Sequence, residues 1–471
     1  MAPLMFGGLV LFMLIGYPVA FSLAAVGLFF GFIGIELGFF ETSLLQALPD
    51  RVFGILSNDL LLAIPFFTFM GAILERCGLA EDLLEGMGQL FGPVRGGLAY
   101  AVIAVGAILG ATTGTVAASV IAMGLISLPV MMRYGYDMRV ATGVIAASGT
   151  IAQLIPPALV LIVLADQLGK SVGDMYAGAI GPSIVQVLLF FLFVFLVSVF
   201  RPQYVPALPP AARTLRGWPL ARKILWGVVP SLVLIFLVLG TILMGLATPT
   251  EGGAMGATGA LALAAAHGRL TRDLLWQGMG RTMRITAMVI FILIGATVFG
   301  LVFRGVDGDL WVEDMLTSLP GGQVGFLVAV NLFIFVLAFF LDFFEIAFIV
   351  IPLLAPVAAK LGIDLIWFGV LIGANLQTSF MHPPFGFALF YLRGVAPKEV
   401  KSSDIYWGAV PWVGIQLILV AIIILWPGLV TSFVDRPAVI DPSRIEILLE
   451  QPGDAAADPS AEIERQLRQQ R

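Results

Sequence analysis

The chain has 471 residues, of which 59% are hydrophobic and only 12% charged, and it carries a net charge of −5 at pH 7. Its mean hydropathy is +1.02, and apolar runs of about 18 or more residues recur along it, so a membrane protein with many spanning helices is predicted and a soluble domain is excluded. A single cysteine, Cys77, excludes an intrachain disulfide and a cysteine metal cluster. No pattern typical of nucleic-acid binding is present.

The first half of the fold is predicted over residues 1–200. It opens with two helices in residues 4–36, separated at Gly16-Tyr17-Pro18. Residues 98–132 are apolar but interrupted by the sequence Gly-Ala-Thr-Thr-Gly-Thr at 110–115. The two parts have about 15 residues each, which is short for a full span, so this segment predicts a re-entrant hairpin with a polar tip.

A broken helix is predicted over residues 140–165. The apolar pattern is interrupted at Ser148-Gly149-Thr150 and again at Pro156-Pro157. Two consecutive prolines remove two backbone donors and clash with the preceding turn, so a regular helix cannot continue through them. Backbone freed at membrane depth is tolerated only where it is buried in protein or lines a watery cavity.

Residues 201–223 are rich in proline and basic residues and predict a cytoplasmic linker to a second half at 224–433. The polar residues 434–471 predict a tail with few packed contacts. Between the linker and the next hairpin, we expect spans at 224–245 and 252–267, Glu251 as a cap of the second span, a basic amphipathic segment at 269–284, and a span at 285–303.

The second half contains its own hairpin and broken helix. The hairpin is predicted over residues 326–358, with Asp342 and Glu345 near its tip. The broken helix is predicted over residues 366–392. Its interruption contains a polar run followed by a second proline pair: Gln377, Thr378, Ser379, His382, Pro383 and Pro384.

The two halves are related by an internal repeat. Pro129–Asp137 aligns with Pro356–Asp364 at an offset of 227 residues, and the two proline pairs align at the same offset. An odd number of crossings between equivalent loops inverts one half relative to the other. At an offset of 230, Asp174, Tyr176 and Gly178 fall on Asp404, Tyr406 and Gly408.

The predicted fold class is therefore an all-α polytopic membrane protein, built as an inverted repeat with two re-entrant hairpins and two broken helices. Two half-helices that meet at a mid-membrane break usually mark the substrate and ion site of a transporter. The concentration of basic residues in the linker and in residues 269–284 assigns that face of the protein to the cytoplasm.

The polar residues at the hairpin tips and helix breaks are the candidate binding site. Their hydroxyl, amide and carbonyl oxygens are hard donors suited to sodium, and half-helix N-termini suit an anionic substrate group. The predicted sodium ligands are Thr112, Thr113, Gly114, Ser148, Gly149, Thr150, Asp342, Gln377, Thr378 and Ser379. The predicted substrate-binding residues are Thr115, Glu345, Asn375 and His382.

Each assignment has a structural alternative. The threonine and glycine tip also suits tight packing between helices. Asp342 and Glu345 would share a helix face if their tip is helical. A carboxylate at a helix centre costs about 3 kcal/mol, so these two face a cavity or a partner unless they lie shallowly at the interface. His382 either contacts substrate or makes a structural contact.

Several stretches resemble one known family. They are GATTGT at 110–115, GTIAQLIPP ending at Pro157, ATPTEGGA around Glu251, FLDFFEIAFIVIPLLAPV from Phe340, and HPPFGFALFYLRGVAP from His382. In this order and spacing, and over nearly the whole chain up to about Leu429, the sequence resembles the large membrane subunit of the tripartite ATP-independent periplasmic (TRAP) transporters.

The resemblance implies a sodium-driven importer of organic acids in a bacterial inner membrane, not an enzyme. It implies two protein partners, a periplasmic substrate-binding protein and a small four-helix membrane subunit, and an elevator-type movement of the hairpins and broken helices. Sodium ions are the only cofactors expected. Phe343 and Phe344 after Asp342, and His382 before the proline pair, depart from many relatives and favour a substrate other than sialic acid.

Two other functions fit the same residues. One is a stand-alone sodium-coupled carboxylate carrier of the same superfamily, which needs no binding protein. The other is a membrane-embedded enzyme that uses Asp342, Glu345 and His382. Neighbouring genes for a binding protein and a small membrane subunit would distinguish the first from a TRAP subunit, and turnover in detergent without an ion gradient would indicate the second.

Overall fold

The computed structural model describes residues 1–384 and 386–434, and these residues form helices and connecting turns without any β-strand. Met1–Val434 is one compact unit. The prediction of an all-α polytopic protein is confirmed. The predicted tail lies, from residue 435 onwards, outside the described residues.

Six helices precede the first hairpin, and the initial pair is separated where predicted. Gly16 ends the first helix with a φ of 93°, a left-handed conformation that glycine adopts without steric cost. The amphipathic segment LAEDLLEGMGQLF at residues 79–91 is a helix. The elements are α1 (Ala2–Ile15), α2 (Val19–Glu36), α3 (Ser43–Gln46), α4 (Leu48–Leu56), α5 (Ala63–Leu74) and α6 (Leu79–Phe91), with a 3₁₀ turn at Asp59–Leu62.

Hairpin 1 consists of α7 (Gly97–Thr113) and α8 (Val116–Arg133). Its turn, which we call tip 1, comprises residues 112–115. Gly114 allows the chain to reverse there, because its φ of 59° lies in the left-handed region. The arms have 17 and 18 residues. The prediction of two short arms was wrong for α8, which is long and apolar enough to cross a membrane.

Broken helix 1 follows, and it has one interruption instead of the two predicted. It comprises α9 (Met138–Thr150), a 3₁₀ turn at Ile151–Gln153 and α10 (Leu159–Leu168). Ser148, Gly149 and Thr150 belong to the last turn of α9, because the helix continues until the proline pair forces it to end. We call residues 151–158 break 1. The next element is the 29-residue helix α11 (Val172–Phe200).

The middle of the chain differs from prediction in two boundaries. The linker ends at Gly217, and residues 269–303 do not divide into an amphipathic segment and a span: one helix of 34 residues covers most of them. The predicted cap is confirmed, since Thr248 and Glu251 form a reciprocal capping box. The helices are α12 (Trp218–Ile235), α13 (Thr241–Leu243), α14 (Pro249–Ala266), α15 (Arg272–Gly305) and α16 (Gly308–Thr317), with a π-helical segment at Phe236–Gly240.

The second hairpin and broken helix recur in the predicted order. Hairpin 2 contains α17 (Gly322–Leu337), α18 (Phe343–Ile349) and α19 (Ile351–Lys360), and its second arm bends by 53° between α18 and α19. Tip 2 comprises residues 338–342. Broken helix 2 contains α20 (Leu365–Leu376), a 3₁₀ turn at Gln377–Phe380 and α21 (Phe387–Val395), and it is followed by α22 (Ser402–Leu425) and α23 (Gly428–Thr431). We call residues 377–384 break 2.

Among the described residues, six helices are long and apolar enough to cross a membrane, or up to nine if each strongly bent pair counts as one span. The bent pairs include the two parts of the second arm of hairpin 2. This range agrees with a multi-pass protein in which some helices stop short of a full crossing.

The long helices α11 and α22 each pack against the broken helix of the other half. Gly408 of α22 lies on α9, where an added Cβ would be 2.4 Å from the Arg139 carbonyl oxygen. Gly178 of α11, which aligns with Gly408 at the offset of 230, faces Ile366 and Val370 of α20. The repeat seen in the sequence thus corresponds to a reciprocal exchange of contacts between halves.

We expect Gly408→Ala to destabilise the fold by about 1–3 kcal/mol, because the new methyl group meets backbone that cannot move aside. Gly414→Ala in the same helix is the matched control, since a Cβ there would meet nothing within 4 Å. Thermal unfolding of both variants in detergent measures the difference. Equal midpoints would contradict this close approach of α22 to α9.

Candidate functional site

Tip 1 lies against break 1 and against helix α5. A Cβ on Gly114 would be 3.3 Å from the Pro157 carbonyl oxygen, and one on Gly71 of α5 would be 2.3 Å from the Thr113 carbonyl oxygen. Ser148 packs on Gly106 of α7 with similarly close approach. The small residues of hairpin 1 therefore bring the polar tip into contact with the end of α9 and with break 1.

Five hydroxyl groups at tip 1, at the end of α9 and in break 2 donate their protons to helix carbonyls, whereas the hydroxyls of Thr115 and Ser148 have no partner within the described residues. Thr113 Oγ1 donates to the Leu109 oxygen at 2.8 Å and Thr378 Oγ1 donates to the Asn375 oxygen at 2.8 Å. Because each proton is used within the helix, the hydroxyl oxygen presents lone pairs to its other neighbours. Such oxygens suit a cation. The same arrangement holds for Thr112, Thr150 and Ser379.

Two buried glutamines that the sequence analysis did not single out reach these residues. Gln416 of α22 donates from Nε2 to Thr150 Oγ1 at 2.9 Å, and Gln186 of α11 donates from Nε2 to Gln377 Oε1 at 2.6 Å. All four side chains are fully buried. Each bond joins a long helix of one half to the break region of the other half.

The contacts of α11 show that the two breaks lie close together. Ser183 Oγ donates to the Leu154 oxygen of break 1 at 3.1 Å. Gln186, one helical turn further on, contacts Gln377 of break 2. Gln186 also stands midway along Val172–Phe200, a helix long enough to cross the membrane. Both breaks therefore contact the middle of one spanning helix.

Buried oxygen atoms without a hydrogen-bond partner concentrate in this region. Native proteins leave few buried polar atoms unpaired, and an ion or water is one usual reason for an exception. Within the described residues, the unpaired oxygens at tip 1, at the helix breaks and on their glutamine partners are Thr115 Oγ1, Ser148 Oγ, Gln153 Oε1, Gln186 Oε1, Asn375 Oδ1 and Gln416 Oε1. The four of these oxygens that lie on tip 1 and on the broken helices pass the test expected of a cation site, since they are acceptors that the protein itself does not satisfy.

Asp342 and Glu345 have a structural role at tip 2. Asp342 caps α18 by accepting a hydrogen bond from the Glu345 N–H at 2.9 Å, and Glu345 accepts one from the Asp342 N–H at 3.0 Å. The condition for a shared helix face, a helical tip, is not met at Asp342, because this residue precedes α18 as its N-cap. Each carboxylate keeps one oxygen outside this capping box, so their predicted roles as sodium ligand and substrate contact remain predictions.

His382 is enclosed by aromatic rings beside tip 2. Its ring centroid lies 4.1 Å from that of Phe339 and 4.4 Å from that of Phe335. Neither ring nitrogen makes a hydrogen bond within the described residues, and the Ala338 backbone is the polar group next to the ring. Phe343 and Phe380 form a second aromatic pair between the start of α18 and break 2, with ring centroids 6.3 Å apart. His382 is thus set in an aromatic environment at break 2.

Asn375 links broken helix 2 to hairpin 2. Its Nδ2 donates to the backbone oxygen of Asn331 at 2.8 Å and to the Asn331 side chain at 3.1 Å. Asn331, on α17, was not predicted as a site residue. Thr115, the substrate-binding candidate at tip 1, has its side-chain methyl group near Gly71 and its hydroxyl unpartnered.

A cationic cavity of about 550 Å³ lies between α5, α15 and α21. Its lining includes Arg76, Arg281, Arg284 and Tyr391. Arg281 is paired with Glu75, whereas Arg284 donates to the backbone oxygen of Gly280 at 3.2 Å in its own helix. The lining therefore has more positive than negative charge, which favours the binding of an anionic ligand.

The structure thus brings the predicted residues together as two groups, whose breaks both contact α11. Tip 1 and the end of α9 supply Thr112, Thr113, Gly114, Thr115, Ser148, Gly149 and Thr150, and tip 2 with broken helix 2 supplies Asp342, Glu345, Asn375, Gln377, Thr378, Ser379 and His382. Gln153, Gln186, Asn331 and Gln416 were missed. The offset of 230 relates Gln186 to Gln416 and was the available signal for that pair.

Comparison with known proteins agrees with this architecture. The family model for the tripartite ATP-independent periplasmic transporter, DctM component, matches residues 6–429. The chain is 30% identical over 394 residues to the C4-dicarboxylate TRAP transporter large permease protein DctM of Pseudomonas aeruginosa, a match that covers 83% of this chain and 89% of that protein. It is 25% identical over 422 residues to the sialic acid TRAP transporter permease protein SiaT of Haemophilus influenzae, covering 89% of this chain and 66% of that protein.

A solved structure shares the fold. The YdaH transporter of Alcanivorax borkumensis superposes with a TM-score of 0.59 at 16% identity, covering 83% of this chain and 90% of that one. The predicted resemblance is confirmed, as is the prediction of a transport protein and not an enzyme, because the matched relatives are transporter permeases. The chain belongs to the DctM component family of the tripartite ATP-independent periplasmic transporters, and it is a multi-pass membrane protein.

Proposed function

We propose that this chain is the large permease subunit of a transporter that imports an organic acid together with sodium ions. The observation that carries the proposal is the cluster of buried, unpartnered oxygens and back-bonded hydroxyls at tip 1 and the two helix breaks. Acceptor oxygens that no protein donor satisfies suit a hard monovalent cation. The contacts of both breaks with the middle of α11 support a shared site at mid-membrane depth.

The substrate is an organic anion in this proposal. The cationic cavity beside Tyr391 offers Arg76 and Arg284 to a carboxylate on its way to or from break 2. The names of two relatives give C4-dicarboxylates and sialic acid as their substrates, and both are organic acids. The aromatic wall around His382 favours an acid that also carries an apolar or planar group.

The family name implies a three-component system, so we propose two partners. A small membrane subunit completes the permease, and a periplasmic binding protein delivers the substrate. In this arrangement the chain lies in the bacterial inner membrane, with the basic linker and the start of α15 on the cytoplasmic side. The hairpins and broken helices carry substrate and sodium across together.

Reconstitution into proteoliposomes tests this function. With the two partner subunits present, we expect uptake of the organic acid when sodium is higher outside, and uptake near background when potassium replaces sodium. Equal uptake in potassium would reject the sodium coupling. Uptake that does not depend on the binding protein would favour the stand-alone carrier instead.

A further inference from the structure

The contacts of Gln186 and Gln416 form a crossed pattern between the two halves. Gln186, on α11 of the first half, donates to Gln377 at the start of break 2, and Gln416, on α22 of the second half, donates to Thr150 immediately before break 1. Gln186 and Gln416 are equivalent at the offset of 230, and Thr150 and Gln377 are equivalent at the offset of 227. Each half of the protein therefore donates an equivalent hydrogen bond to the break region of the other half.

Each glutamine makes a single hydrogen bond, although its side-chain amide can form several. Its amide nitrogen is the donor, while its Oε1 has no partner within the described residues. Both side chains are fully buried. Burying an amide with an unpaired oxygen costs free energy, so an apolar side chain would fill each position more favourably if folding alone determined it.

The helices that carry the glutamines are closely fixed to the broken helices of the opposite half. Gly408 and Gly178 allow α22 to approach α9 and α11 to approach α20. A packed helix and a buried hydrogen bond therefore connect each break to the other half. Ser183 and Gln186 lie about one turn apart on α11. Ser183 contacts break 1 and Gln186 contacts break 2, so this helix contacts both breaks.

We propose that Gln186 and Gln416 are positioning residues that couple the two sodium-binding breaks. Each glutamine holds the break of the opposite half in the conformation that binds the cation, so ordering of one break by sodium lowers the entropic cost of ordering the other. Sodium activation is then cooperative because of this pair. The inference rests on the proposed sodium coupling.

The experiment measures uptake as a function of sodium concentration in proteoliposomes that contain the complete transporter. We expect Gln186→Met and Gln416→Met, which preserve volume and remove the donor, to raise the half-activating sodium concentration roughly five- to tenfold, the effect of one buried hydrogen bond. The Hill coefficient for sodium should fall towards one in both variants. The KM for substrate at saturating sodium should stay within about twofold of that of the unchanged protein.

A double-mutant cycle tests the contact itself. Because Gln186 acts through Gln377, the double variant Gln186→Met, Gln377→Met should show a smaller effect than the product of the two single effects. Gln89→Met is the control, since Gln89 likewise donates from its side-chain amide and leaves Oε1 unpartnered, but its acceptor is the backbone oxygen of Ala212 and it lies in α6 away from the breaks. It should leave the sodium response unchanged.

The outcomes separate this inference from the proposed function. If the unchanged protein does not respond to sodium, the proposed function fails. If it responds and the Gln186 and Gln416 variants retain its half-activating concentration and Hill coefficient, only the coupling role fails. Gln186→Asn and Gln416→Asn, which keep the amide but retract it, provide milder variants. Loss of folded protein in both the Met and the Asn variants would also overturn the proposal, because the glutamines would then serve folding.

Discussion

Gly71→Val is expected to abolish uptake, and Gly71→Ala to lower it about tenfold, when uptake is expressed per amount of folded protein. An added Cβ at Gly71 would lie 2.3 Å from the Thr113 carbonyl oxygen and 3.5 Å from the Thr115 side chain. Neither α5 nor the tip can accept this methyl group without displacement. Since Thr113 and Thr115 belong to the proposed sodium site, the displacement should act on transport first.

The sodium response distinguishes a displaced tip from a damaged fold. In Gly71→Ala, raising sodium should restore part of the lost uptake, because excess cation compensates for a weakened site. Gly7→Val is the control, since a Cβ on Gly7 meets nothing within 4 Å. Folded protein is quantified by size-exclusion chromatography in detergent. Normal uptake by Gly71→Val would show that tip 1 does not need its close contact with α5.

The repeated elements could be predicted because strong local rules fix them. The proline pairs Pro156-Pro157 and Pro383-Pro384 end a helix wherever they occur, and apolar stretches of this length form helices in a membrane. The offset of 227 between the two proline pairs then identified the internal repeat of a hairpin and a broken helix. Helix ends were less predictable, as the continuous α15 shows, because basic residues on one face do not interrupt a helix.

The pairing of side chains across the halves could not be predicted from local pattern. Gln186 and Gln416 lie in helices whose surroundings are apolar, and a polar residue there has no periodic signature of its own. Only the inverted repeat, with long helices exchanged between halves, places them at the opposite breaks. Asp342 and Glu345 show a structural role that their spacing already indicates, because an acidic residue three positions after an N-cap Asp fits a capping box like that of Thr248 and Glu251.

Thr378→Val is expected to raise the half-activating sodium concentration at least about tenfold, while Thr378→Ser stays within about twofold of the unchanged protein. Thr378 is fully buried in break 2, and its hydroxyl proton is donated to the Asn375 oxygen. Valine has the same shape but lacks the oxygen whose lone pairs face away from that bond. Serine keeps the oxygen, so the comparison isolates the cation ligand from packing.

Thr142→Val controls for the loss of a buried, back-bonded hydroxyl elsewhere. Thr142 is also fully buried and donates to the Met138 oxygen at 2.7 Å, but it lies two turns of α9 before Thr150. If Thr142→Val and Thr378→Val lower folded protein equally and only the latter changes the sodium response, the hydroxyl of break 2 acts on the cation. If Thr378→Val keeps the normal sodium response, the lone pairs of that hydroxyl contact no ion, and the polar groups of break 2 serve only to satisfy the backbone that the proline pair leaves free.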